Sequence, residues 1–145
     1  MIKFTVSKRT NIPKETIWSL VSRIEDYPKY WHGHREVKVI GNNEGRLLVN
    51  IRFAFNGPLN HGTAYVEVGN YTVVFNFLKG PFKGVHVVKV NDGELTSEWN
   101  IKLHPLLTPM SRWIINHFKQ GSEHALERII NDAESIKGSS SPLRQ

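Results

Sequence analysis

Apolar and polar residues alternate along most of the chain from Glu36 to His104, and a period of two is typical of half-buried β-strands. Short turn signals such as Asn91-Asp92-Gly93 separate successive runs. The apolar face of the clearest run consists of Leu47, Val49, Ile51, Phe53 and Phe55. Residues 1–10 alternate in the same way. The pattern therefore predicts one strand at the N-terminus and about six more in the middle of the chain.

Helical spacing appears in two other stretches. Pro13 suits the first turn of a short amphipathic helix, which Asp26-Tyr27-Pro28 interrupts before a second short helical turn. From Thr108-Pro109, predicted as an N-cap and a first-turn proline, apolar residues recur at every third or fourth position as far as Ile136. This spacing predicts one long amphipathic helix that ends at Gly138. We expect residues 138–145 to be disordered.

These elements together predict an α+β fold. A sheet with one apolar face needs a cover, and the long C-terminal helix is the element able to supply it. We therefore expect a curved antiparallel sheet of about seven strands wrapped around that helix, with two short helices after the first strand. Residues 1–137 would form this single domain.

Composition narrows the possible functions. The chain has no cysteine, which excludes disulfides, thiolate metal sites and cysteine nucleophiles and fits a cytoplasmic location. The N-terminus reads as a strand rather than a signal peptide, and no apolar run is long enough to span a membrane. The net charge of +6 suits a nucleic acid or an anionic membrane, but the basic residues are dispersed, which favours a solvated surface and predicts no specific nucleic acid partner.

Three stretches of the chain form a recognisable set: residues 12–18, a segment that includes Pro13 and Trp18; residues 24–31, which contain Asp26-Tyr27-Pro28 and Trp31; and the strand at residues 37–40. Together they resemble the opening of the START-related superfamily, which includes the pollen-allergen-like proteins and the polyketide cyclase/dehydrase and lipid transport proteins. The helix from Pro109 to Ile136 is similar to the closing helix of that superfamily. The resemblance covers residues 2–136 and implies the helix-grip fold.

The resemblance also implies a function. Members of the superfamily hold lipids, polyketides or similar apolar molecules between sheet and helix, and a minority are cyclases or hydrolases. We expect an apolar small-molecule ligand, no cofactor and, with less support, transient contact with a membrane surface. There are two alternatives. The chain could be an enzyme that acts on such a molecule in the same cavity, or a basic module that binds nucleic acid or anionic membrane.

Aromatic side chains on the predicted inner faces are the candidate cavity wall. We expect the cavity to be lined by Phe53, Phe55, Val66, Phe75, Phe77, Trp99, Ile101, Trp113, Ile114, His117 and Phe118. The same side chains would also suit a core that is filled without a ligand. His117 could bond a ligand or move a proton, or lie satisfied at the edge of the apolar stripe. Gly121 could kink the helix or admit a close strand.

Other polar candidates carry weaker signals. His32, His34 and His104 lack the spacing of a metal site, so we expect surface histidines and no metal. Strict alternation turns Arg52 and Glu98 outward, while Glu67 would anchor a ligand only if it pointed inward. The basic loop at residues 79–84, with Phe82 at its predicted tip, could gate the cavity, touch a membrane or be a plain exposed hairpin.

Overall fold

Seven strands joined in one antiparallel sheet make up the centre of the part of the chain that the computed structural model describes, residues 1–54 and 57–139. The strands are β1 (Ile2–Arg9), β2 (His34–Asn43), β3 (Arg46–Phe53), β4 (His61–Gly69), β5 (Thr72–Lys79), β6 (Phe82–Asn91) and β7 (Glu94–Leu103). Their order across the sheet is β1-β7-β6-β5-β4-β3-β2, so the first two strands in sequence lie at opposite edges. The predicted curved sheet and α+β class are confirmed.

Alternation decides which face of the sheet is buried. In β3, Val49, Ile51 and Phe53 are buried while Asn50 and Arg52 between them are exposed. The predicted apolar face of this strand is therefore confirmed as far as Phe53. Phe55, the last residue predicted on that face, lies outside the described residues.

Four helical segments accompany the sheet in the described chain. Helix α1 (Lys14–Val21) and a 3₁₀ helix (Ile24–Lys29) lie between β1 and β2, and a second 3₁₀ helix (Pro105–Met110) leads into α2 (Ser111–Ser139). Helix α2 packs on β1, β7 and α1. Its buried face consists of Ile114, Ser122, Ala125, Leu126, Ile129 and Ala133. No helix in the described part of the chain is both long and apolar enough to cross a membrane.

The ends of α2 differ from the prediction. The helical turns begin at Pro105. The Leu106 amide donates a hydrogen bond to the ring nitrogen Nδ1 of His104 at 3.2 Å, so His104 is the capping residue. Thr108 lies inside this 3₁₀ turn, and its predicted role as N-cap of the long helix is wrong. At the other end the helix runs through Ser139, one residue beyond the glycine predicted to stop it.

The loop before β6 also differs from the prediction. Phe82 is only 1% exposed, because it is the first residue of β6, and its ring packs against Phe77 at 4.8 Å and Phe118 at 5.5 Å. The prediction that Phe82 forms the exposed tip of this loop is therefore wrong. Residues Lys79-Gly80-Pro81 have the composition of a loop, but the alternation of buried and exposed side chains in β6 already begins at Phe82 and turns this ring inward.

Candidate functional site

A cavity of about 470 Å³ lies against the inner face of the sheet and the N-terminal half of α2. The described residues that line it are Trp31, His32, Gly33, His34, Arg35, Phe53, Ala54, Trp99, Trp113, His117, Phe118, Gln120, Gly121, His124 and Arg128. Residues from α2 form one wall, the segment entering β2 forms another, and Phe53 and Trp99 contribute the sheet side. A volume of this size suits a small molecule of a few rings.

Trp99 of β7 is the centre of the aromatic wall. Its ring stacks on His86 at 3.8 Å and meets Phe118 of α2 at 5.2 Å. Its indole N–H donates to Oγ of the buried Ser122 at 2.9 Å. Because Ser122 belongs to α2, this bond fixes the helix against the sheet beside the cavity and satisfies the polar edge of the tryptophan.

A second set of hydrogen bonds holds α2 to the rest of the protein closer to the C-terminal end of the helix. The Tyr30 hydroxyl donates to Asp132 at 2.9 Å, and Arg128 donates to the Tyr30 carbonyl at 2.7 Å. Burial and the Asp132 bond both raise the pKa of Tyr30, so the phenol keeps its proton. These bonds tie the segment preceding the cavity to the helix that covers it.

The wall contributed by residues 31–35 follows directly from the local turn. The Trp31 amide donates to the Tyr27 carbonyl and the His34 amide donates to the Trp31 carbonyl, so the 3₁₀ helix leads into β2 without a long loop. The Trp31 ring stacks on Tyr27 at 4.8 Å. The His34 ring packs at 5.4 Å from Phe53 and 6.5 Å from Phe75. An imidazole is thereby held inside an aromatic cluster.

His86 of β6 lies deeper in the same cluster. Its Nε2 and the Ser97 hydroxyl form a 2.7 Å hydrogen bond, and the Trp31 ring meets it edge-on at 5.2 Å. Burial and the neighbouring His34 hold the pKa of His86 well below its usual range. Burial lowers the pKa of His34 to about 4. Both imidazoles are therefore neutral at neutral pH.

Four buried nitrogen atoms in this cluster have no hydrogen-bond partner among the described residues. They are Trp31 Nε1, both ring nitrogens of His34, and His86 Nδ1. A buried polar atom without a partner costs on the order of 1–3 kcal/mol, and native proteins contain few of them. This concentration beside the cavity makes the cluster the candidate functional site among the described residues.

Phe55, one of the eleven residues predicted to line the cavity, lies outside the described residues, and the other ten divide into two groups. Those that the structure places on its wall are Phe53, Trp99, Trp113, His117 and Phe118. Those that are buried in the packed core, and are not among the described lining residues, are Val66, Phe75, Phe77, Ile101 and Ile114. The deep part of the sheet–helix interface is thus solid, and the cavity lies nearer the start of α2.

Two further predictions concern residues of α2. His117 is exposed at the cavity mouth and stacks on Trp113 at 4.7 Å, so it is not enclosed by the protein. Gly121 lines the cavity, and a Cβ atom there would meet nothing within 4 Å, which rules out the predicted close approach of a strand.

The charged strand residues follow the alternation. Arg52 is exposed, as predicted, and Glu98 pairs with Lys89 at 2.9 Å away from the core. Glu67 is exposed too, so it does not face the cavity. The charged side chains that do line the cavity among the described residues are both basic, Arg35 and Arg128.

Sequence comparison identifies the family. A profile described as polyketide cyclase/dehydrase and lipid transport matches residues 10–105. This chain belongs to that family. The matched part begins before α1 and ends after β7, so it includes Trp31, His34, His86 and Trp99 but not α2.

Solved structures with the same fold cover more than nine-tenths of this chain. A Thermus thermophilus protein, TTHA0849, has 15% identity and a TM-score of 0.72, with 96% of this chain and 99% of that one covered. The Zhui aromatase/cyclase of Streptomyces sp. R1128 has 13% identity and a TM-score of 0.67, with 91% and 93% covered. The di-domain aromatase/cyclase StfQ of the steffimycin pathway has 10% identity and a TM-score of 0.73, with 94% of this chain and 52% of that one covered. At these identities the likeness shows the fold alone.

A search of curated protein sequences gave no match. The family and the helix-grip fold therefore rest on the profile and the structures together.

In this polyketide cyclase/dehydrase family member, the sequence pattern missed the buried polar residues. His34 was expected at the surface but is 4% exposed, so that prediction is wrong. The reason is that β2 begins at His34 itself and turns this first side chain inward. His86 was not singled out, because β6 carries valine on both faces, at Val85, Val87, Val88 and Val90, which conceals the inward register.

A metal centre has no structural support in the described residues. His32 is exposed while His34 is buried, so the two do not act as a pair. Across residues 1–54 and 57–139, no group of three or more histidine, aspartate or glutamate side chains is arranged to hold a metal ion.

Proposed function

We propose that this chain binds a ring-containing, largely apolar small molecule in the cavity between the sheet and α2. The observation that carries the proposal is the aromatic wall of a cavity of about 470 Å³, formed by Trp31, Phe53, Trp99, Trp113 and Phe118. Flat rings on such a wall gain both from burial, at about 25 cal/mol per Å² of apolar surface, and from favourable edge and stacking geometry.

The unpartnered nitrogens suggest that the ligand has a polar group. Trp31 and His34 form part of the cavity wall, so a bound molecule that reaches their ring nitrogens would supply the hydrogen-bond partners that these atoms lack. A neutral imidazole can donate one hydrogen bond and accept another, and an indole can donate one. A phenolic hydroxyl meets both requirements, because it can accept one hydrogen bond and donate another, whereas a ketone oxygen can only accept. Neither group introduces a charge into an apolar site.

A cavity-filling substitution tests the location. Gly121→Phe projects a ring into the open space at the cavity wall, and we expect it to weaken the binding of 2-naphthol about tenfold or more, because two rings then compete for one volume. Asn116→Phe is the matched control, since Asn116 is exposed on the same helix and is not among the described lining residues. Titration followed by tryptophan fluorescence provides the affinities.

The outcomes separate cleanly. Loss of binding in Gly121→Phe with normal binding in Asn116→Phe supports the cavity as the binding site. Equal binding in both variants and in the unmodified protein would contradict it. Native mass spectrometry of the purified protein adds a second readout, namely a co-purifying small molecule that the Gly121→Phe variant lacks.

An enzyme acting in the same cavity is the second candidate, and His34 is the observation that favours it. Its low pKa makes it a poor proton acceptor, but a neutral imidazole N–H in an apolar site can polarise a carbonyl. The aromatase/cyclase neighbours make ring-forming chemistry the natural class to examine.

Enolisation of a model diketone tests this candidate. With the His34 N–H polarising one carbonyl and solvent D₂O taking the proton from the carbon between the two, a naphthyl 1,3-diketone would exchange that hydrogen for deuterium at least about tenfold faster with the protein present. We expect His34→Leu to abolish this acceleration, since the substituted side chain has no hydrogen-bond donor, while the affinity for naphthalene stays the same. Exchange at an equal rate with and without the protein would leave binding as the function.

A further inference from the structure

Three large apolar side chains are exposed together where the second 3₁₀ helix meets α2. Leu106 is 72% exposed, Met110 48% and Trp113 56%. Other exposed apolar residues of comparable size, such as Ile40 and Leu78, are dispersed over the strands. We call Leu106, Met110 and Trp113 the corner patch. Apolar side chains clustered in this way on a surface usually mark a contact site.

The corner patch is continuous with the cavity mouth. Trp113 belongs to both, and His117, which stacks on it at 4.7 Å, continues the line of side chains along the cavity wall on α2. Any surface that covers the patch therefore lies directly beside the entrance. A ligand leaving that surface would reach the cavity without crossing water.

Charge restricts what the patch can meet. Between Glu98 and Glu123 the chain has no acidic residue, while Lys102, Arg112 and Lys119 are all present and exposed. The cavity wall beyond the patch adds Arg35 and Arg128 and, among its described residues, no carboxylate. Apolar side chains whose neighbours in sequence include exposed cations and no acidic residue are complementary to a surface that is apolar inside and anionic outside.

We propose that the corner patch docks this chain on an anionic lipid bilayer, with Leu106, Met110 and Trp113 entering the interface and Lys102 and Arg112 meeting the headgroups. Tryptophan is favoured at such interfaces because its ring is apolar and its N–H is polar. A second copy of the chain is a poorer occupant. Three partly exposed side chains offer on the order of a few hundred Å², whereas a standard interface takes roughly 800 Å² from each partner.

Vesicle binding tests the proposal. Sedimentation with vesicles of two parts phosphatidylcholine to one part phosphatidylserine should capture the protein, and added salt should weaken the capture. Substituting all three patch residues by serine (L106S, M110S and W113S) should lower the partition coefficient about tenfold or more. The matched control substitutes Ile40, Val68 and Leu78 by serine, which are 48%, 39% and 39% exposed on the strands, and should bind like the unmodified protein.

A single substitution keeps the test valid if the triple variant does not fold. Leu106→Asp, at the most exposed position of the patch, adds a charge that the anionic surface repels and should also reduce capture. Failure of the unmodified protein to bind anionic vesicles would overturn the proposal, as would equal binding by the patch variants. A dimer in sedimentation velocity that the patch variants dissociate would assign the patch to a second copy instead. Binding of 2-naphthol without vesicles is measured separately, so loss of one activity does not imply loss of the other.

Discussion

Acidification from pH 6.5 to near pH 4 is expected to lower the free energy of unfolding by about 3 kcal/mol through His34 alone. Above pH 6.5 this histidine is neutral in both the folded and the unfolded chain. Below it the unfolded chain binds a proton that the folded protein, with a pKa of about 4, does not yet accept. Stability is therefore complete above pH 6.5 and is lost as the pH falls toward 4. His86, whose pKa is also lowered, adds to the loss.

Urea unfolding at a series of pH values across this window measures the effect. The variant His34→Leu should remove the His34 part of the slope, because leucine binds no proton in either state. His32→Gln is the control, since His32 is exposed two residues away, and it should leave the difference between high and low pH unchanged. An identical slope in His34→Leu and the unmodified protein would show that His34 is not held neutral by burial.

Trp99 and Trp113, two of the three tryptophans on the cavity wall among the described residues, should respond very differently to the same substitution. Trp99→Ala is expected to cost about 3–5 kcal/mol, because it removes a buried ring, its stack on His86 and its bond to Ser122. Trp113→Ala should change stability by less than about 0.5 kcal/mol, because that ring is 56% exposed.

Thermal and urea unfolding of the two variants provide the comparison, with residue type and substitution held constant. Equal destabilisation would mean that Trp113 is covered by the protein in solution or that Trp99 is not the centre of the wall. The Trp113→Ala variant should also stay folded during ligand titration. There we expect weaker binding, because one aromatic side chain of the cavity wall is missing.

The fold was predictable because most of its signals are periodic. Val49, Ile51 and Phe53 alternate with polar residues, and the buried positions of α2, such as Ile114, Ala125 and Ile129, recur at helical spacing. Each pattern arises because one face of the strand or helix packs against the core, so the spacing of apolar residues in the sequence is enough to identify that face. The same reasoning placed the single long helix against the sheet.

Several of the positions that the sequence misjudged lie near the start of an element. Phe82 and His34 are each the first residue of a strand, and Thr108 lies three residues before α2, and there the composition of the turn competes with the register of the element. Gly80 and Pro81 give residues 79–84 the composition of a loop. Phe82 nevertheless pairs with Leu103 as the first residue of β6, and its side chain is buried on the inner face of the sheet. Local chemistry alone does not show where pairing starts.

The site could be predicted only in part. Aromatic side chains on inward faces were identified, but the sequence does not distinguish those that fill the core, such as Phe75, from those that line a cavity, such as Phe53. That distinction depends on where α2 lies along the sheet. The bonds from Trp99 to Ser122 and from Tyr30 to Asp132 determine this position, and both join residues far apart in sequence.

The indole N–H signals of the four tryptophans, followed by NMR during titration with 2-naphthol, test the central claim most directly. Trp31, Trp99 and Trp113 line the cavity, whereas Trp18 packs on Tyr71 at 5.7 Å and is not among the described lining residues. We predict that the first three signals shift with a common dissociation constant while the Trp18 signal stays in place. If Trp18 alone moved, or if none of the cavity tryptophans responded, the ligand would not enter the space between the sheet and α2.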